Sequence, residues 1–186
     1  MTSPRRIRLA RLAGHLSLAA VLGSAATAQA DILDPGTRPA FASFGLGPAI
    51  GAVNLGGVTQ FKMEQQLGYH FSGDSSGIAL GLQLAESVGS GVFIFQPGAK
   101  LAWDAQVADD LAIYITPSLA LGYAGAFGGG SAHAFNWQIA AEVKAILGDR
   151  GLLFFRPIGL DFFAGDFGGT SFAMRYDLIL GGGVTF

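Results

Sequence analysis

Four pairs of oppositely charged residues stand at even spacings in this sequence: Lys62 and Glu64, Lys100 and Asp104, Glu142 and Lys144, and Arg175 and Asp177. Residues two or four apart in an extended chain project to the same face, so each pair would share one surface. Asp161 is expected to join them. Two chemistries suit such a set: ion pairing in a confined polar interior, or hydrated groups lining a narrow conduit for ions or small solutes. Four cations and five anions enclosed together are costly unless paired, which favours a salt-bridge network that fills the space.

Other reactive constellations are weak. Ser131, His133 and Glu142 hold the residue types of a hydrolytic triad, which needs hydroxyl, imidazole and carboxylate within hydrogen-bond reach. Nine residues of extended chain put His133 and Glu142 about 30 Å apart, and their parities are opposite. His70, beside a turn, reads as an interfacial polar residue. The chain has no cysteine, so thiolate metal sites and disulfides are excluded. The glycine runs at 128–130 and 181–183 lack the Lys-Ser/Thr and helix pattern of a phosphate loop. No catalytic residue, cofactor or metal is expected.

The elements that position these charges are strands. From His133 to Leu147, Phe135, Trp137, Ile139, Ala141, Val143, Ala145 and Leu147 alternate with Asn136, Gln138, Ala140, Glu142, Lys144 and Ile146. The device repeats over 58–71, with Phe61, Met63, Leu67, Tyr69 and Phe71 on one face and Gln60, Lys62, Glu64, Gln66 and His70 on the other. It returns over 111–123 and from Phe172 to Phe186, and more weakly near 41–48, 77–86, 92–106 and 152–164. The connections fall into two alternating classes. SGDSS (72–76), VADD (107–110) and GDRG (148–151) are short and charged, whereas 49–57, 87–91, 126–132 and 166–169 are rich in glycine and apolar residues. Eight strands of a meander follow, with both ends on one side.

Composition points to a membrane. Hydrophobic residues make up 51% and charged residues 13%, about half the usual charged share of ~25%, yet nothing past residue 30 nears the ~20 apolar residues of a spanning helix. Residues 1–30 read as a cleaved secretory signal: Arg5, Arg6, Arg8 and Arg11 precede an apolar stretch, and Ala28-Gln29-Ala30 gives a small-x-small cleavage site. Arg8 sits where a twin-arginine signal wants an apolar residue, so the general secretory route is expected. Of eleven Lys/Arg, removing those four leaves seven against thirteen Asp/Glu, which offers nothing to nucleic acid. Residues 31–40, with Pro35 and Pro39, read as a periplasmic lead-in, and 41–186 as the barrel.

Periodicity alone does not say which face points inward, and a soluble lipocalin-like barrel would also alternate. The large apolar residues exceed what an eight-stranded lumen holds, and the other face is mostly small residues, glutamines and a few charges. The segment from Tyr176 through Leu178, Leu180 and Val184 to Phe186 alternates and ends on an aromatic. It resembles the C-terminal strand signal of bacterial outer-membrane proteins, which the barrel-assembly machinery reads. In this respect the chain is similar to small eight-stranded outer-membrane β-barrels of the OmpA/OmpX-like kind. The resemblance implies an all-β, transmembrane, antiparallel up-and-down barrel in the outer membrane of a Gram-negative bacterium. Its partners would be membrane lipid and lipopolysaccharide, with the assembly machinery during biogenesis. The chain lacks the long outer loops and the C-terminal peptidoglycan-binding domain of some such proteins, which weighs against adhesion and wall anchoring. The expected role is structural or one of surface interaction, the alternative a narrow conduit for small solutes or apolar molecules.

Overall fold

The computed structural model describes residues 36–108, 111–167 and 169–186. The expected secretory signal, the first half of the lead-in and Asp109 and Asp110 lie outside them. Eight strands follow in order: β1 (Ala40–Val53), β2 (Thr59–His70), β3 (Gly77–Gly89), β4 (Val92–Ala108), β5 (Leu111–Phe127), β6 (Ser131–Leu147), β7 (Gly151–Phe167) and β8 (Thr170–Thr185). Each pairs antiparallel with the next, and β1 pairs with β8 to close the barrel. One register followed from Phe41 through Gly68, Gly81, Lys100, Ala120, Gln138, Asp161 and Arg175 returns to β1 at Gly51, ten residues on. A stagger of that size tilts the strands roughly 40° and sets a lumen just wide enough for side chains.

Alternation decides which groups fill that lumen. In β6, Asn136, Gln138, Ala140, Glu142, Lys144 and Ile146 are buried while Phe135, Ile139, Val143 and Leu147 are exposed on the outer wall. The strands run further than alternation alone suggested. Ala126, Phe127, Ser131 and Ala132 were expected in a connection but belong to β5 and β6, and Ser87 to Gly89 belong to β3. Ladder partners on one or both sides hold them in the strands and override the weak intrinsic preference of the alanines, serines and glycine among them. What remains between β3 and β4 is Ser90-Gly91, both at positive φ (52° and 75°), the conformation that a two-residue hairpin turn demands.

The β1–β8 seam needs small residues. A Cβ at Gly47 would lie 1.9 Å from the Leu178 carbonyl oxygen, and one at Gly183 2.1 Å from that of Ala42. The seam continues to Phe186, whose N–H donates to the Ala40 carbonyl at 2.8 Å and whose carbonyl accepts from the Ala40 N–H at 3.1 Å. Inside, Phe41, Tyr114, Ile146 and Leu152 pack near the end where the chain enters β1. Ile94, Phe163 and Phe167 pack at the other end, with Leu55 of the β1–β2 turn against them. The charged residues lie between these apolar layers.

Candidate functional site

All nine charged residues singled out above are buried inside the barrel. Lys62 from β2 reaches Asp161 of β7 at 2.8 Å and Asp177 of β8 at 2.6 Å. It does so over β1, where Gly47 pairs with Lys62 and Ala49 with Asp177. The small residues that leave room for this are Gly45, Gly47 and Ala49 of the inward face. Arg175 donates through Nε and Nη2 to the same Asp161 oxygen at 3.0 and 2.9 Å, and through Nη1 to Gln60 at 2.9 Å. Lys100 meets Glu142 at 2.6 Å and donates to Gln66 at 3.1 Å.

The group that joins these pairs is Arg156 of β7, which the sequence reading missed. Its Nη1 and Nη2 donate to the two oxygens of Glu64 at 2.8 and 2.5 Å. Its Nε and Nη2 donate to Glu142 at 3.0 and 2.6 Å, and Nη1 stands 3.5 Å from Asp177. A single alternation over 152–164 puts Arg156 and Asp161 on opposite faces. A register shift between Arg156 and Gly159 resets the parity, so both point inward. Two signals for it were present: Pro157 inside a strand, which marks a bulge or edge, and the shortfall of one cation in the interior count. With Arg156, the buried interior among the described residues holds five cations and five carboxylates.

Amides complete the network. Gln138 donates to Asp161 at 2.8 Å and Asp177 at 2.9 Å and accepts from Gln83 at 3.3 Å. Gln66 donates to Glu64 at 2.6 Å, and Gln96 accepts from Arg175. Hydrogen bonds to most of these charges offset their desolvation, while Glu142 Oε2 and Asp177 Oδ1 are buried without a hydrogen-bond partner among the described residues.

A second, smaller cluster lies toward the chain-entry end. Asp104 pairs with Lys144 at 3.0 Å and His70 at 2.6 Å and accepts from the Thr116 hydroxyl. His70 is therefore an interior residue and not the interfacial one expected, since its place at the last position of β2 keeps the inward parity. Its Nδ1 faces the Pro39 carbonyl at 3.0 Å. Lys144 also sits 5.2 Å from the centre of the Phe41 ring. A small cavity of about 10 Å³ lies among Phe41, His70, Asp104, Tyr114 and Lys144, room for about one water molecule.

The hydrolytic constellation does not form. His133 stacks on Tyr123 and accepts or shares its hydroxyl proton on the outer wall, while Glu142 lies inside on Lys100 and Arg156. Among the described residues no cluster of His, Asp and Glu could hold a metal ion. On the outer wall Trp137 stacks on Phe162 at 5.2 Å, flanked by Phe135 and Phe172. Leu180 and Val184 of β8, and Phe186 just after it, are exposed on the outer wall, and the Tyr176 hydroxyl donates to the Pro157 carbonyl. The partly exposed Leu178 shares their parity.

No protein-family model and no curated protein matches this chain in sequence. Solved structures do match in shape. Neisserial surface protein A aligns with a TM-score of 0.64 at 13% identity, over 79% of this chain and 97% of that one. The N-terminal β-barrel domain of Pseudomonas aeruginosa OprF aligns with a TM-score of 0.56 at 12% identity, over 80% and 98%. The fold is that of the small eight-stranded outer-membrane barrels. Inside that fold, Arg156 ties β7 to β2 and β6.

Proposed function

We propose that this chain is an integral outer-membrane β-barrel of a Gram-negative bacterium, exported through the general secretory route, with a plugged interior. Its role is structural or one of surface interaction in the envelope, and it carries out no enzymatic chemistry. One observation supports this above the rest: large apolar side chains cover the outer wall while the charge is turned inward and paired. Phe61, Leu82, Trp103, Ile115, Phe135, Ile139 and Leu180 are all exposed, an arrangement that is unfavourable in water at roughly 25 cal/mol per Å² and favourable in hydrocarbon.

The plug reading rests on three layers along the axis. Apolar side chains pack at each end, and between them the charged groups bond to one another. The partners that fit are membrane lipid and lipopolysaccharide along the wall, and the barrel-assembly machinery for the β8 pattern Tyr176, Leu178, Leu180, Val184 and Phe186. The test is paired. The protein should fractionate with outer membranes and migrate differently in detergent gels before and after heating, and planar bilayers containing it should show no discrete conductance. Discrete conductance would replace the plug with the narrow-conduit reading, and recovery as a soluble periplasmic protein would overturn the membrane assignment.

A further inference from the structure

The chain enters β1 through Gly36–Pro39, and this segment lies over the mouth of the barrel. Gly36 is buried. Its N–H donates to the Tyr114 hydroxyl on β5 at 3.3 Å, and its carbonyl accepts from the Ser75 N–H in the β2–β3 turn at 3.0 Å. The Ser75 hydroxyl donates to the Arg38 carbonyl at 2.7 Å. The Pro39 carbonyl accepts from the His70 N–H at 2.7 Å. On the far side, the Thr37 hydroxyl donates to Asp149 in the β6–β7 turn at 2.9 Å, and Arg38 Nε donates to the same carboxylate at 3.1 Å. Four residues thus touch strands and turns from most of the rim. The fit at Gly36 is tight, since a Cβ there would lie 2.3 Å from Ser75 Oγ and 3.3 Å from Ile146.

We infer that Gly36–Pro39 is a latch across this mouth, fastened at Asp149, and that its release exposes the cavity beside Asp104, Lys144 and His70 to solvent. The two ends of the segment differ in kind. The Gly36 end is buried against the barrel interior, whereas the Arg38–Asp149 contact is partly exposed, with side-chain exposures of 31% and 38%. Exposed ion pairs are individually weak and screened by salt, so the fastening is the part that opens first, and local opening of this kind precedes global unfolding. The inference goes beyond the membrane reading and is tested in detergent micelles, where the two fail separately.

The absence of cysteine makes a single introduced thiol an unambiguous reporter. Leu152→Cys lines the cavity without taking part in the latch. Combined with Thr37→Ala and Asp149→Ala, it should react with a water-soluble maleimide about tenfold faster than Leu152→Cys alone, the opening expected from losing two exposed contacts. Combined with Asp166→Ala, an exposed charge removed at the opposite end of the barrel, it should react at the parent rate. Hydrogen exchange gives a second readout without the thiol: the Ser75 amide should lose protection in Thr37→Ala/Asp149→Ala while amides at the centres of the strands keep theirs. Equal labelling and equal Ser75 exchange with and without the fastening would overturn the latch, as would fast labelling of Leu152→Cys with the fastening intact.

Discussion

Arg156 grips both oxygens of Glu64 across the barrel, at 2.8 and 2.5 Å, and with the same guanidinium holds Glu142 at 2.6 Å. Neither carboxylate is near Arg156 in sequence, and both are fully enclosed. Arg156→Met should therefore leave Glu142 with Lys100 alone and Glu64 with Gln66 and a Lys62 ammonium 3.7 Å away, and destabilise the barrel by about 3–5 kcal/mol, as broken buried pairs do. Arg156→Lys should recover only part of this, because an ammonium cannot make the two-pronged contact. Urea unfolding in lipid vesicles measures both, and a cost below about 1 kcal/mol for Arg156→Met would mean that water already solvates these groups.

Ile139 is exposed at the middle of β6, between two buried residues, Gln138 and Ala140. Ile139→Arg should cost roughly 2–4 kcal/mol in vesicles if that wall meets hydrocarbon near the midplane. Ile139→Leu should be close to neutral. Equal stability of the two variants would show that the wall faces water.

Gly159 sits where a Cβ would lie 1.9 Å from Asp177 Oδ1 and 2.9 Å from Arg156 Cδ. Gly159→Ala should push Asp177 away from Lys62 and lower stability by about 1–3 kcal/mol, with the loss abolished in an Asp177→Ala background. A full, additive loss in the double variant would show that the glycine matters for the Arg156 side chain or the backbone and not for Asp177.

Deleting Phe186 removes the two hydrogen bonds that it exchanges with Ala40 at the seam. Assembly should be impaired, read as a smaller heat-modifiable fraction in gels of isolated outer membranes. Normal assembly would rule out an aromatic end to β8 as part of the assembly signal.

Asp149 links the latch to pH. The Thr37 hydroxyl, aided by Arg38, holds its carboxyl below the usual carboxylate range. A group whose folded value is depressed adds stability above its ordinary value, and that stability is lost as pH falls through the lowered one. Protection of the Ser75 amide should therefore drop on acidification below the ordinary carboxylate range, relative to Asp149→Asn, whose protection should not change with pH. Parallel behaviour of the two would separate the latch from this carboxylate.

The barrel was legible because its strands keep period two over long stretches: β6 alone, from Phe135 to Leu147, tells inward from outward. The site was legible where that parity holds without interruption, as at Lys62 and Glu64 or Arg175 and Asp177. It failed at Arg156 because a bulge near Pro157 shifts the pattern by one residue in mid-strand, which no fixed alternation can follow. His70 was misplaced for a different reason: proximity to a turn does not tell whether a side chain points outward or into the mouth. The strand ends were underestimated wherever glycine and alanine dominate, since closure supplies those residues with partners that local preference does not foresee.

The seam has a consequence in time. Phe41 pairs with Thr185, 144 residues later, so β1 waits through the synthesis of every other strand before its second edge is covered. Until then each partial sheet exposes a row of unpaired backbone donors and acceptors, the feature that most invites sheets of separate chains to join. Pairings this distant also form slowly. A chain built this way needs to be kept apart from its copies until β8 arrives, and the last pairing that it makes is the one that ends the hazard.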